Sequence, residues 1–200
     1  MTLPITFLRP GRPADAPTIA SLIMEAMSAD CCAHFYGPQH TAEEFQQFMT
    51  SLCMREHTQY SYQNTIIAEC QGEIAGITVS YDGALLSTLR QPFWNGMMQQ
   101  FNRDLTNMDD ETQAGELYLD SFAVFPQFRQ QGIGLSLLHA TIHKAEQLGL
   151  PCVGLLVDVD NPNAERLYQK AGFSFCNDSS WGGHNMKHLQ CPVAKQTSIR

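Results

Sequence analysis

The chain has no long apolar run, no Cys-x-x-Cys pair and no cluster of basic residues, and only 16% of it is charged. Each absence excludes something. Without a stretch of about 20 apolar residues, no helix is expected to cross a bilayer. The first dozen residues hold Pro4, Pro10 and only a short apolar segment, so no signal peptide is expected and the cytoplasm is the expected location. The seven cysteines are odd in number and scattered, with only Cys31 and Cys32 adjacent. They read as small buried hydrophobes in a reducing compartment, not as a disulfide framework or a thiolate metal site. Lys and Arg total 12 against 20 Asp and Glu, giving a net charge of −8. Nucleic acid is thereby excluded as the main partner, because phosphate binding requires clustered cations. An acidic chain suits a cationic substrate such as an amine instead.

What is present fits one globular domain, with 200 residues, 44% of them hydrophobic, and no internal repeat. Ile5 to Leu8 reads as a first strand, and Ile19, Leu22, Ile23, Ala26 and Met27 fall at helical spacing after Asp15. Thr41 with Glu44 forms a capping box for a helix running to about Met54. Strands are expected over 65–70 and 74–81, joined by Gln71-Gly72-Glu73. The segment from about 84 to 115 reads as an insertion: helical, broken near Pro92, then polar from Asn107 to Gln113. It is either a surface excursion packed on the core or a lid that offers aromatic walls to a pocket. Next come an apolar strand over 117–124 and a helix with the stripe Leu137, Leu138, Thr141, Ile142, Ala145 and Leu148, stopped by Gly149 and Pro151. A buried strand follows over 152–159, then a helix from Asn161-Pro162 to Gly172 and closing strands at 173–176 and 185–189. The domain is expected over 5–192, with 193–200 a frayed tail.

Two motifs carry the chemistry. Arg129-Gln130-Gln131-Gly132-Ile133-Gly134 is a glycine turn that opens a helix. Helix N-termini leave N–H groups unpaired and carry partial positive charge, and glycine lets an anion approach them closely. The turn lacks the third glycine of a dinucleotide fingerprint and the Lys-Ser/Thr of a P-loop. Further on stands Asn161-x-x-Ala164-x-x-x-Tyr168-x-x-x-Gly172-Phe173. In this order and at this distance the two motifs resemble those of the GNAT superfamily of acetyl-CoA-dependent N-acetyltransferases. The start Arg12-Pro13-Ala14-Asp15 and the helix–helix–hairpin prelude are similar to it too.

The resemblance implies an α/β (α+β) fold, a mixed and strongly twisted sheet flanked by helices. It implies acetyl-CoA as cosubstrate, its pyrophosphate on the backbone of Arg129, Gln130, Gln131, Gly132, Ile133 and Gly134. Phe122, Ala123 and Val124 would pair their main chain with the pantetheine arm and polarise the thioester oxygen. Asn161 would bond near the pantetheine, and it also reads as a helix N-cap. Tyr168 is the expected general acid: a phenol of pKa about 10 can hydrogen-bond or protonate a thiolate of about 8.5.

The base that takes a proton from the attacking amine is open between two strand residues. Asp120 is the first choice, as base or amine anchor, and Glu116 the runner-up; by alternation both share a face with Tyr118. Asp120-Ser121-Phe122 is similar to the Asp-x-Phe/Leu of some aminoglycoside acetyltransferases, and Asp158 shares a strand face with Leu156, where some members carry their glutamate. No metal is expected. His139 and His143 read as an exposed helix face, and His184 and His188 as surface or pocket-rim residues.

The implied reaction is direct acetyl transfer, without a covalent enzyme intermediate, to a primary amine of a small molecule or peptide. Polyamine, amino-sugar antibiotic, amino acid and peptide N-terminus all stay open as acceptors. Their pocket is expected from about 30–62 and 81–94. A homodimer through the last strands is the family's expectation. The rival reading is a non-catalytic, CoA-binding regulatory domain of the same fold.

Overall fold

In the computed structural model, residues 6–193 are described; Ile5 of the expected first strand and residues 194–200 of the expected tail lie outside the described residues. Seven strands form one sheet: β1 (Thr6–Pro10), β2 (Thr65–Cys70), β3 (Glu73–Asp82), β4 (Leu117–Val124), β5 (Cys152–Asp158), β6 (Ser174–Trp181) and β7 (His184–Pro192). Their order is β1-β2-β3-β4-β5-β7-β6, and every neighbouring pair is antiparallel except β4 with β5. The sheet is therefore mixed, as expected.

Helices cover both faces. On one, α1 (Ala16–Met27), α2 (Ala29–Tyr36), α3 (Ala42–Cys53) and α4 (Leu86–Phe101) bury Ile19, Ile23, Phe35, Phe45, Phe48, Phe93 and Met97 against Ile67, Ile77, Val79 and Ala123. On the other, α5 (Ile133–Gln147) and α6 (Pro162–Lys170) pack on Leu117, Leu119, Val153, Leu155 and Leu189. The capping box at Thr41 and Glu44 forms as its spacing predicts, with Thr41 Oγ1 accepting from the Glu44 N–H at 3.2 Å and Glu44 Oε2 from the Thr41 N–H at 2.7 Å.

Three elements differ from expectation. The eight residues of α2 were not anticipated, because so short a helix shows little periodicity and starts at Ser28 with a positive φ of 73°. Helix α4 runs unbroken for 16 residues through Pro92. Proline removes the N–H that would bond the Thr88 carbonyl four residues before it; the adjacent Leu89 carbonyl accepts the Gln59 N–H at 2.9 Å from a neighbouring loop. Strand β6 extends to Trp181 and is mostly exposed along its length. Its polar Asn177-Asp178-Ser179-Ser180 run resembles a loop in sequence, but an edge strand tolerates polar residues, and Gly182-Gly183, both at positive φ, supply the tight turn into β7.

The strand pairing contains one irregularity that sets up the site. Val79 pairs with Ser121 and Ser80 with Leu119, so Asp120 is the extra residue of a bulge in β4. Bulges bend a strand and re-aim a side chain. Across from it, Lys144 of α5 holds the Ser80 carbonyl at 2.6 Å, the Ser80 hydroxyl at 3.0 Å and the Asn64 carbonyl at 3.2 Å. Burial lowers the pKa of this lysine to about 8.

Candidate active site

Strands β4 and β5 pair only at Leu117 with Val153 and Tyr118 with Gly154. Beyond Tyr118 they part, and among the described residues the β5-side edge of β4 from Leu119 to Val124 has no strand partner. The Gly turn sits beyond the end of this opening. Gln130 has φ 62° and Gly132, the N-cap of α5, has φ 81°. Left-handed residues alternating with right-handed or extended ones turn successive N–H groups toward one side, a concavity suited to an anion. Gly134 serves close approach: a Cβ there would lie 3.0 Å from Phe122 Cζ and 3.4 Å from Leu167 Cδ2. Tyr168 packs beside the same phenylalanine, with ring centroids 6.0 Å apart and the planes tilted by 56°. Turn, open strand edge and phenol thus meet around Phe122.

Three of the expected residues gain detail. Arg129 does not offer a free charge: its Nε donates to the Val124 carbonyl at 2.9 Å and its guanidinium pairs with Glu25 of α1 at 3.0 Å. The backbone of the turn is what remains for a phosphate. Asn161 caps α6, its Oδ1 accepting from the Ala164 N–H at 3.1 Å. Burial pushes the Tyr168 hydroxyl up to about 12, so it stays a phenol, a hydrogen-bond donor, at any working pH.

Asp120 lies on the other face of β4, beneath α4 and the loop before β2. Its Oδ2 accepts from Gln59 Nε2 at 3.0 Å and from the Tyr81 hydroxyl at 3.1 Å, and its Oδ1 from Ser121 Oγ at 2.9 Å. Desolvation raises its pKa above the ordinary aspartate value, although those three donors and the Arg90 charge pull the other way. The surrounding phenols Tyr60, Tyr81 and Tyr118 are held neutral, their pKa values raised first by burial and then by the Asp120 charge. Gln59 is fixed by a buried loop whose polar groups are matched: Asn64 Nδ2 bonds the carbonyls of Thr58 and Gln59, and Thr58 Oγ1 the Leu52 carbonyl. Even so, Gln59 Oε1, Arg90 Nε, Trp94 Nε1 and Trp181 Nε1 are buried without a partner. Such groups are costly unless a ligand or water meets them.

Glu116, four residues earlier, stands in a different setting. Its Oε1 accepts from Thr112 Oγ1 at 2.6 Å and its Oε2 from His188 Nε2 and Gln190 Nε2, both at 2.9 Å. Burial opposes its charge, but these bonds outweigh burial and hold its pKa below the ordinary glutamate value. A Cβ at Gly154 would overlap this carboxylate, so the glycine makes room for it. His188 is a correction to the sequence expectation: it is buried at 7% exposure, between Glu116 and Asn177, not at a surface or rim. It points into the sheet face because β7 pairs with β5 as well as with β6, which covers both of its edges. His139 and His143 are exposed on α5, and among the described residues no three metal-ligating side chains come together. Asp158 lies at the end of β5 beside His184, 3.5 Å away.

Sequence reasoning singled out neither Arg90 nor Glu111, although both stand at the Asp120 cluster. Arg90 is fully buried and pairs with Glu111 and Asp110. Together with Leu89, Phe93 and Met97 it makes the segment from 84 part of the core. The one signal in the sequence was an arginine among the apolar positions of an amphipathic pattern. Glu111 sits in a polar loop, where nothing in the spacing distinguishes it from its neighbours.

Comparison with known proteins bears on the family and the fold. The sequence model of the Acetyltransferase (GNAT) family matches residues 29–173. A mycothiol acetyltransferase of Nocardiopsis dassonvillei is 34% identical over 98 residues, 46% of this chain and 28% of the relative. A spermine/spermidine N(1)-acetyltransferase of Bacillus subtilis is 30% identical over 79 residues, 39% of this chain and 52% of the relative. The chain thus spans about half or less of the length of these curated relatives. A solved structure described as an acetyltransferase superposes with a TM-score of 0.76 at 27% identity, covering 94% of this chain and all of that one. An N-acetyltransferase from Staphylococcus aureus Mu50 does so at 0.74 and 22% identity, covering 92% of this chain and 99% of that one, which bears on the fold alone. The chain belongs to the GNAT acetyltransferase family.

Proposed function

We propose that this family member is an acetyl-CoA-dependent N-acetyltransferase that moves acetyl directly onto a primary amine of a small molecule or peptide. The observation that carries the reading is the convergence on β4. An unpaired strand edge, a glycine turn and a phenol meet on one side of it, and a desolvated carboxylate stands on the other.

The residues fit acetyl-CoA. The N–H groups around Gln130, Gly132 and Gly134 would hold the pyrophosphate, the open edge at Phe122, Ala123 and Val124 the amide-rich arm, and Asn161 a position beside it. When bound, acetyl-CoA supplies the activated thioester. Asp120 takes the proton that the amine must lose, and its raised pKa makes it a better proton acceptor than an ordinary aspartate. A β4 N–H stabilises the oxyanion as the amine attacks. Tyr168, still protonated, donates a hydrogen bond to the departing sulfur.

The acidic chain and the polyamine named for the Bacillus subtilis relative support a cationic small-molecule acceptor. A cytoplasmic location belongs to the same reading, as does a homodimer through the last strands. The exposed outer edge of β6, with Phe175 55% exposed, is the surface that such a dimer would use.

Titration calorimetry with acetyl-CoA, on the wild type and on Gly132→Asp, tests this reading. Binding that is lost in the variant, followed by acetylation of one amine in a panel that includes spermidine, is the expected result. Absence of binding to the wild type overturns the reading. Binding with no transfer to any amine favours the regulatory domain.

A further inference from the structure

Asp120 shares its donors with a second carboxylate. Gln59 Nε2 lies 3.0 Å from Asp120 Oδ2 and 3.4 Å from Glu111 Oε1, and the Tyr81 hydroxyl lies 3.1 Å and 3.3 Å from the same two atoms. The glutamine amide has two hydrogens and serves both oxygens, while the tyrosine has one and serves a single oxygen at a time. Two carboxylates this close repel each other, and one of them gains the higher proton affinity.

Arg90 decides which. Its guanidinium is fully buried and pairs with Glu111, itself 5% exposed, while its other carboxylate partner, Asp110, is 74% exposed and solvated. The Trp94 ring lies 5.5 Å from the guanidinium carbon. Glu111 is therefore the member that stays ionised. Asp120 hydrogen-bonds only neutral donors, Gln59, Tyr81 and Ser121. The other groups facing it are accounted for. Tyr60, Tyr81 and Tyr118 are neutral phenols, and Cys31 and Cys53 near Tyr60 are thiols whose pKa values burial raises. Glu116 lies further down the strand and is satisfied by His188, and Lys144 is tied to Ser80 from α5.

We infer that Glu111 and Arg90, both from the segment over 84–115, form a positioning pair that makes Asp120 the carboxylate of the cluster that carries the exchangeable proton. The inference rests on the reading of Asp120 as base and deepens it. Two buried carboxylates face one buried cation, so the cluster takes up one more positive charge, either a proton or the ammonium of the acceptor. A free α-amino acid would bring a third carboxylate into this space, so the pair selects amines that lack a neighbouring carboxylate.

The test is carboxyl 13C NMR on protein labelled at aspartate, with the Asp120 signal identified by its loss in Asp120→Asn. In the wild type Asp120 is expected to titrate above the ordinary aspartate range. In Glu111→Gln its pKa should fall by about one unit or more, because a like charge has been removed. The double variant Glu111→Gln with Arg90→Met removes both charges and should return it toward the wild-type value; if Glu111→Gln does not fold, Arg90→Met alone removes the cation and should raise the Asp120 pKa by about one unit or more, and an unchanged titration there overturns the inference. An Asp120 titration unchanged in folded Glu111→Gln, or lowered by more than a unit in the double variant, overturns the inference. The reading beneath it fails separately, if Asp120→Asn acetylates spermidine as fast as the wild type.

Discussion

Asp120 of β4 and Glu116, just before that strand, are four residues apart, and both are carboxylates removed from water. Around Glu116 each oxygen is bonded, a histidine stands beside it, and the pKa falls. Around Asp120 the donors are neutral and two of the three are shared with Glu111, several nearby polar atoms have no partner among the described residues, and the pKa rises. Environment, not residue type, separates a structural carboxylate from one able to exchange a proton. The bulge contributes too, since it sets Asp120 apart from the regular ladder that Glu116 precedes.

Apart from the loss of Asp120 itself, the largest effect is expected on the opposite face of β4. Tyr168→Phe removes the phenol that would bond the leaving sulfur and should lower kcat by about 100-fold, near 2.7 kcal/mol. Acetyl-CoA affinity, read by calorimetry, should hardly change, because backbone groups carry it. Equal loss of kcat and affinity would return Tyr168 to a packing role between Phe122 and Phe173.

Glu116→Gln should cost about 2 kcal/mol of stability at neutral pH, the scale of hydrogen bonds to a buried charge. The sign of its pH dependence follows from the lowered pKa. The stabilisation from Glu116 is complete above the ordinary carboxylate value and is lost as pH falls through the folded-state value. Denaturant curves of variant and wild type should therefore converge in acid. A gap that persists there would assign the loss to packing over Gly154.

The smallest effect runs the other way. The raised pKa of Asp120 means that its ionisation disfavours the fold as pH rises from the ordinary aspartate value through the folded one. Asp120→Asn should thus melt higher at neutral pH, by roughly 2–4 °C for about 1 kcal/mol. That advantage should vanish in acid. A lower Tm at neutral pH would mean that Asp120 is as fully compensated as Glu116.

Much of this was legible in the sequence, for physical reasons. The glycine turn, the β4 run and the helix with Tyr168 are local patterns, and strand alternation placed Asp120, Tyr118 and Glu116 on one face. Local patterns do not report partners that arrive from far along the chain. Gln59, Tyr81, Arg90 and Glu111 reach Asp120 across 61, 39, 30 and 9 residues of sequence, counted from their numbers. Alternation likewise could not tell which carboxylate would find His188, 72 residues away from Glu116. Nor could it reveal that Pro92 sits inside a continuous helix.

The most direct test of the contrast is acetyl transfer from acetyl-CoA to one responsive amine by Asp120→Asn and Glu116→Gln, measured side by side at neutral pH on folded protein. The expected result is a kcat loss of about 10²–10⁴-fold for Asp120→Asn, the scale of a removed general base, and a loss of no more than about threefold for Glu116→Gln. The reverse order, or equal losses, would contradict it.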